Sequence, residues 1–324
     1  MGDPHPADPR PPWTSWAAMR VLAPFRASLL YTFTKDRSGA VPAWQDELAH
    51  GNDAGHYGPD SAVWEVHGGM STIPAGIRAL LTQALHPGAL AGVAEHSAYR
   101  SDPLARLAGT IRWIFTVTYG STEQARAACD YVARRHQPVV GTYRTRDGEE
   151  RPYSANDEHL ARWVHIAFTD AFLRCYEDFT GPVPRTATSQ PGETGADTYV
   201  REWALAAELM GIADPPRSVA ELNAELERFL AGELTGGPRV DEVVRFLRRP
   251  PFERNLRAGY AALFVAVVDT LDPAHRALLG VRASPSPSVT RWLARRTLTV
   301  IGWLLPRPGP AEQRARQRRA QWSA

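Results

Sequence analysis

The chain has 324 residues, a hydrophobic content of 44% and a formal net charge of +2 at pH 7. This composition supports a buried core and excludes a chain that is disordered throughout. The near balance of charges gives no electrostatic reason to expect nucleic acid as a partner. No run reaches the roughly 18 apolar residues that cross a bilayer, and the proline-rich start lacks the pattern of a signal peptide. We therefore expect a cytoplasmic protein.

Lysine and cysteine are both scarce. Lys35 is the single lysine among 37 basic residues, so no catalytic or ligating lysine is available elsewhere. Two cysteines, Cys129 and Cys175, are too few for a disulfide framework or an all-cysteine metal site. Both fall inside amphipathic helical patterns, and we predict that both are buried as small apolar residues.

The first part of the chain is predicted to contain short helices, a loop and then one regular helix. Apolar residues with interspersed arginines predict one or two short helices over 13–33, and the Gly-, Asp- and Pro-rich stretch 35–59 predicts a loop. From Ile77 the apolar residues follow the 3.6-residue period of an α-helix, which His86-Pro87 is predicted to end. His86 is therefore interpreted as a C-terminal cap that interacts with the last carbonyls of that helix.

Two further helices follow. Pro103 opens the first of them. Ser121 and Gln124 form a capping box at the start of the second. The inner face of this second helix ends at His136, just before Pro138.

The pattern changes to strand only once. Two short runs within 139–153 flank Arg146-Asp147-Gly148, and Asp-Gly is a strong hairpin signal. The tail from Arg307 is rich in Arg and Gln and is predicted to be frayed. Helical patterns occupy 157–175, 199–210, 218–230, 240–247, 255–271, 273–280 and 289–305. The predicted fold is all-α with one short β-hairpin.

His136 has the most informative position of the histidines. It shares a helical face with Cys129 and Val132, so its ring is expected to face the core. Burial keeps an imidazole neutral, and a neutral imidazole is a good ligand for iron or zinc. The alternative is a core histidine bonded to a backbone carbonyl. One histidine is insufficient for zinc, which takes four ligands, but it suffices as the axial ligand of a haem.

Arg106 and Thr110 lie four residues apart and share a helical face with Gly109 and Trp113. An arginine and a hydroxyl on one face can bind an anionic group or polarise a bound oxygen species. The alternative is an exposed arginine and a threonine bonded to its own backbone. His165 lies beside the apolar stripe of its helix, where a satisfied core histidine and a ligand are both open.

Several short motifs, in this order and spacing, resemble one known family. They are Gly76-Ile77-Arg78-Ala79-Leu80-Leu81-Thr82-Gln83, His86-Pro87, Gly92-Val93, His96-Ser97, Pro103, Arg106-x-x-x-Thr110, His136-x-x-Val139-x-Gly141, Tyr153 with Ala155, and Trp163-Val164-His165. Over about residues 59–280 the chain resembles the uncharacterised domain family numbered 2236. That family includes the latex-clearing rubber oxygenases and the MpaB-type oxygenase of mycophenolic acid biosynthesis.

The resemblance implies a globin-like helical core that holds one haem b. His136 looks like the axial histidine that binds the iron. Arg106 and Thr110 look like the pair on the distal side of the haem, where they would stabilise the bound oxygen species, and His165 is placed with the cofactor-binding residues. The implied division is an N-terminal extension with helices (1–58), an oxygenase-like catalytic domain (59–283), and a C-terminal helix with a basic tail (284–324).

The chain also departs from the rubber oxygenases. They carry a lysine immediately before the threonine, where this chain has Gly109, and a catalytic glutamate where it has Ala89 or Leu90; Glu95 is nearby. These departures argue against rubber cleavage and leave haem binding intact. We expect a haem b-dependent oxygenase or other oxidoreductase that acts on a small lipophilic molecule with O2 or a peroxide. The alternative is a non-catalytic helical protein that binds haem or a lipophile.

The last predicted helix has two interpretations. It is either an interfacial amphipathic helix that contacts a membrane peripherally, or a helix packed on the core with snorkelling arginines. The residues concerned are Trp292, Leu293, Leu298, Ile301, Trp303 and Leu304, with Arg291, Arg295 and Arg296 between them.

Overall fold

The computed structural model describes residues 16–34, 40–96 and 102–322, so Lys35 and Ser97 lie outside the described residues. Within these ranges the chain forms fifteen α-helices and one antiparallel two-stranded hairpin, which confirms the predicted fold class. The helices are α1 (Trp16–Thr34), α2 (Ala43–Asp46), α3 (Ala62–Gly68), α4 (Thr72–Gln83), α5 (Pro87–His96), α6 (Pro103–Tyr119), α7 (Thr122–His136), α8 (Glu158–Phe179), α9 (Gly195–Leu209), α10 (Val219–Gly232), α11 (Pro238–Arg248), α12 (Arg257–Thr270), α13 (Pro273–Leu278), α14 (Pro287–Leu304) and α15 (Pro310–Ala320). The strands are β1 (Val140–Arg144) and β2 (Glu150–Ser154).

Local signals that the sequence carries are present in the structure. The Ser121 hydroxyl accepts a hydrogen bond from the Gln124 backbone N–H, and the Gln124 side chain accepts one from the Ser121 backbone N–H. This confirms the predicted capping box of α7. In the hairpin turn Gly148 has φ of +86°, a conformation that glycine adopts without strain. Cys129 and Cys175 are both buried and free, as predicted.

The segment that follows α4 corrects one prediction. Helix α4 ends at Gln83, before His86-Pro87 as predicted, and Pro87 is also the first residue of α5. The His86 Nδ1 atom accepts the backbone N–H groups of Gly88 and Ala89, at 3.1 and 3.4 Å. His86 therefore caps the N-terminus of α5, and its interpretation as a C-terminal cap is wrong. Proline is compatible with both positions, since its missing N–H is harmless in the first turn.

Two predicted irregular segments also contain helix. The stretch 35–59 includes α2 and a 3-10 turn at Glu47–Ala49, in which Leu48 is almost fully buried. The tail beyond Arg307 forms α15 and is not frayed. Arg318 of α15 is fully buried and donates hydrogen bonds to the backbone carbonyls of Leu48, Asp53 and Tyr119. Those partners lie some two hundred residues or more away along the chain, which a local pattern does not reveal.

Helix α8 is the central element of the core. It packs along α4 and also contacts α9, α10, α12 and α14, whereas α6 packs along α7. A buried ion pair joins α4 to α8, in which Arg78 Nη2 lies 2.7 Å from Asp170 Oδ2. Burial raises the pKa of Asp170, but the charge of Arg78 outweighs this effect, and the net pKa lies below its usual value.

No helix of the described residues is long and apolar enough to cross a membrane.

Candidate functional site

Helix α6 presents Arg106 and Thr110 on one face, as the spacing predicts, and both side chains are exposed. The Thr110 hydroxyl donates a hydrogen bond to the Arg106 carbonyl at 3.1 Å. In this rotamer Thr110 offers lone pairs and no proton to a ligand. Gly109, on the same face, has open space beside it, because a Cβ placed there would meet no heavy atom within 4 Å.

His136 is the last residue of α7, and its ring is half-buried. Burial lowers the pKa of the imidazole, a hydrogen bond to the Ala155 backbone opposes this shift, and the nearby charge of Arg106 lowers the pKa further. The structure therefore places the charge of Arg106 near the His136 imidazole. A ring that engages a backbone carbonyl through one nitrogen keeps the other available, which is the usual arrangement of metal-binding histidines.

His165 lies near the middle of α8. Burial, together with the charge of Arg162, lowers the pKa of its imidazole to about 3, so the ring is neutral at physiological pH. The Thr169 hydroxyl lies 3.4 Å from His165 Nε2 and donates its own proton to the His165 carbonyl at 2.8 Å. These described contacts are local to α8, and none of them involves His136 or Arg106.

Arg106, His136 and His165 share one property. Part of each side chain is accessible to solvent, and yet burial lowers the pKa of each. Each of these side chains is thus flanked by protein and also in part accessible to solvent. Open space also lies beside Gly76 of α4, as it does beside Gly109. Helices α4 and α6 thus each carry a glycine with open space beside it.

One large apolar side chain of α4 and one of α8 are exposed. Leu80 and Val164 are each 40% exposed, although large apolar residues of these two helices are otherwise mostly buried. Gln83 links the two helices, since its side-chain amide donates to the Val164 carbonyl at 3.4 Å and its own carbonyl accepts from Trp163 Nε1. Exposed apolar groups beside neutral imidazoles are typical of sites that bind a lipophilic ligand.

A second group of polar residues was not predicted. His86 Nε2 lies 3.0 Å from Glu233 Oε2, and His159 Nε2 lies 2.8 Å from the same oxygen. The three ligand atoms lie within 4.8 Å of one another, and two histidines with one carboxylate are a donor set suited to iron or zinc. The residues come from α8 and from two loops that are far apart in sequence, so no spacing could indicate them.

The hydrogen bonds of His86 decide against a metal in this cluster. Because Nδ1 accepts two backbone N–H groups, it must be unprotonated, and the proton of the neutral ring is on Nε2. That proton points to Glu233. A metal at Nε2 would force the proton onto Nδ1, against the N–H groups of Gly88 and Ala89. The cluster is therefore a hydrogen-bonded link between the start of α5, α8 and the residue after α10.

Other candidate residues have structural partners. Glu95 accepts a hydrogen bond from the Tyr153 hydroxyl at 2.9 Å and lies 3.5 Å from Arg239. His96 Nε2 lies 3.1 Å from the Val140 carbonyl. A cleft of about 550 Å³ lies nearby, between the α4–α5 junction, the hairpin and the residues before α11, and none of Arg106, Thr110, His136 and His165 lines it.

His67 is a further histidine that the sequence did not single out. It is 1% exposed on α3, and burial lowers its pKa to about 3. Its Nδ1 lies 2.9 Å from the Thr118 hydroxyl and its Nε2 lies 3.1 Å from the Tyr199 hydroxyl. Both nitrogens are thus satisfied, and His67 is a core residue, not a candidate ligand.

The fold and the site define an all-α protein in which an exposed arginine of α6 lies near a half-buried histidine at the end of α7. The family model for the ER-bound oxygenase mpaB/B′ and rubber oxygenase catalytic domain matches residues 64–303. The chain belongs to this oxygenase family. No curated protein and no solved structure matches the chain.

Proposed function

We propose that the protein is a haem b-dependent oxygenase that acts on a small lipophilic substrate, with His136 as the proximal iron ligand. Haem would supply the redox chemistry that activates O2. The observation that carries the proposal is the half-buried His136, whose pKa is lowered, with the charge of Arg106 nearby. Membership of the oxygenase family supports the reaction class.

The residues near His136 fit a haem that a histidine binds through its iron. His136 is half-buried and has a lowered pKa, so its ring carries a free lone pair at neutral pH. Its interaction with the Ala155 backbone would fix the ring orientation, as second partners of ligand histidines do. The positive charge of Arg106 disfavours protonation of the ring and can pair with a carboxylate of the cofactor or with a developing negative charge.

The distal residues act by holding and positioning protons. Arg106 provides charged N–H donors on the exposed face of α6. Thr110 becomes a donor to a ligand when its O–H turns away from the Arg106 carbonyl, by rotation about the Cβ–Oγ bond. Beside it Gly109 leaves open space in which a substrate or a small oxidant fits.

The substrate class follows from the apolar surface. Leu80 and Val164 offer exposed apolar contacts, and the neutral His165 adds no charge. Such a lining excludes water better than it binds ions, which favours a lipophilic molecule over a charged metabolite.

A second candidate is a haem- or lipophile-binding protein without turnover. The hydrogen bond from Thr110 to its own helix favours it, because no proton of that hydroxyl is directed to a ligand. A binding protein needs His136 and apolar contacts but not the distal donors.

Oxygen uptake by haem-loaded protein tests the proposal. We expect a Soret band on addition of haemin, and O2 consumption when a long-chain alkene or terpenoid is added. Arg106→Gln should keep the band and lower kcat by about 10- to 100-fold, because it removes a charged donor. Arg112→Gln, an exposed arginine of the same helix, is the matched control. A Soret band without O2 uptake would support the binding protein, and the absence of any band would exclude haem binding and with it the proposed oxygenase.

A further inference from the structure

Helix α14 has two apolar faces, only one of which packs on the core. Ala294, Leu298, Ile301 and Leu304 are each at most 6% exposed and face inward, although the sequence grouped the last three with the interfacial residues. Five of the twelve exposed large apolar side chains of the described residues lie on this one helix. They are Val289 (53%), Trp292 (55%), Leu293 (42%), Val300 (38%) and Trp303 (45%), which we call the outer stripe.

The outer stripe follows the helical period. Its members lie one, three or seven positions apart in chain order, which at 3.6 residues per turn places all five on one side of α14 as a continuous surface. Arg296 lies within this surface, and its guanidinium carbon is 5.5 Å from the centre of the Trp292 ring. A contiguous exposed apolar surface of this extent indicates a binding surface, since isolated apolar residues are the norm elsewhere.

All charged side chains of the segment that carries the outer stripe are positive. Residues 281–309 contain five arginines and no Asp or Glu. Arg291 is paired with Asp178 of α8, at 3.0 Å, and Arg295 donates to the Asp178 carbonyl. The remaining positive charge, that of Arg296 above all, lies beside tryptophan side chains. Tryptophan and arginine flanking an apolar stripe are characteristic of helices that lie in the headgroup region of a bilayer.

We propose that the outer stripe of α14 docks the protein on an anionic lipid surface, with the helix parallel to the membrane plane. A second copy of the chain fits this surface less well. A two-fold contact through the same stripe would bring Arg296 of each copy against the other, where like charges repel. The anionic headgroups of a bilayer instead complement the arginines while the apolar side chains enter the acyl boundary.

Vesicle co-sedimentation of the full chain tests this proposal without reference to haem or turnover. We expect binding to vesicles that contain phosphatidylglycerol, weaker binding to pure phosphatidylcholine, and release by salt. Trp292→Gln with Val300→Gln should lower the partition coefficient about tenfold or more. Arg296→Gln should lower it about fivefold, and only on anionic vesicles.

The matched control is Trp322→Gln with Val140→Gln, two side chains that are each 54% exposed outside α14. This control should bind as the unaltered chain does, and circular dichroism should show all variants folded. The proposal is overturned if the unaltered chain does not sediment with anionic vesicles. Equal loss of binding in the control overturns it as well. A lipid-independent dimer that the Trp292→Gln and Val300→Gln changes dissociate would assign the surface to a second copy.

Discussion

The side chain of Arg318 offers a direct test of how the C-terminal helix is held. It is fully buried and donates hydrogen bonds to the carbonyls of Leu48 at 2.6 Å, Tyr119 at 2.7 Å, Asp53 at 3.1 Å and Ala54 at 3.4 Å. Arg318→Ala removes all of these donors at once.

The expected loss of stability is large. Each lost bond to a charged donor is worth about 1.5–3 kcal/mol, and buried carbonyls left without a donor add a penalty. The desolvation of the guanidinium, which lowers the pKa of Arg318, offsets part of this sum. We estimate a net loss of about 3–5 kcal/mol, the range seen when a buried charged contact is broken. With an unfolding entropy proportional to chain length, this lowers Tm by about 4–7 °C.

Calorimetry of Arg318→Ala beside Arg316→Ala provides the measurement and its control. Arg316 lies on the same helix, is 47% exposed and pairs with Glu312, and its guanidinium carbon lies 5.4 Å from the Trp64 ring. Such surface contacts contribute about 1 kcal/mol together. Equal Tm values for the two variants would refute the reasoning, and so would early proteolytic loss of α15 from the unaltered chain.

Two further predictions concern the other buried or paired histidines. Because burial lowers the pKa of His67 to about 3, the unfolded chain takes up its proton near pH 6.5 while the folded chain does not. Stability is therefore lost as the pH falls below 6.5, by about 1.4 kcal/mol at pH 5.5. In urea unfolding, the free energy of unfolding of His67→Leu should depend correspondingly less on pH. An unchanged pH dependence would contradict this reasoning. Glu233→Gln should weaken the link to His86 and His159 and lower stability by about 1–2 kcal/mol, whereas Zn²⁺ should not raise the Tm of the unaltered chain. A Zn²⁺-dependent rise in Tm that Glu233→Gln abolishes would make the cluster a metal site.

The features that the sequence predicted are those that depend on neighbouring residues. The capping box of Ser121 and the Asp147-Gly148 turn involve partners within four positions, so their chemistry is visible in the sequence. The position of Pro87 was ambiguous because proline both follows helices and begins them. The tail helix was missed because the contacts that hold it are distant in sequence. Its own Arg318 donates hydrogen bonds to carbonyls some 200 to 270 residues away.

Some features of the candidate site were likewise visible from local spacing, whereas others depend on packing. The spacing of Arg106 and Thr110 placed both on one face of α6, and the structure confirms that face. The sequence left open whether Thr110 faces a ligand or bonds to its own backbone, and the structure has its hydroxyl bonded to the Arg106 carbonyl, which depends on the rotamer. The cluster of His86, His159 and Glu233 depends on the packing of three distant segments, and pattern analysis carries no information about it.

The most direct test of the central claim is the absorption spectrum of haemin-loaded protein with and without the imidazole at position 136. His136→Ala should lose the histidine-ligated Soret band and bind haemin at least about tenfold more weakly, and added imidazole should restore the band. His96→Ala, an exposed histidine, is the control and should match the unaltered chain. A His136→Ala spectrum identical to that of the unaltered chain would show that the iron is held elsewhere or not at all.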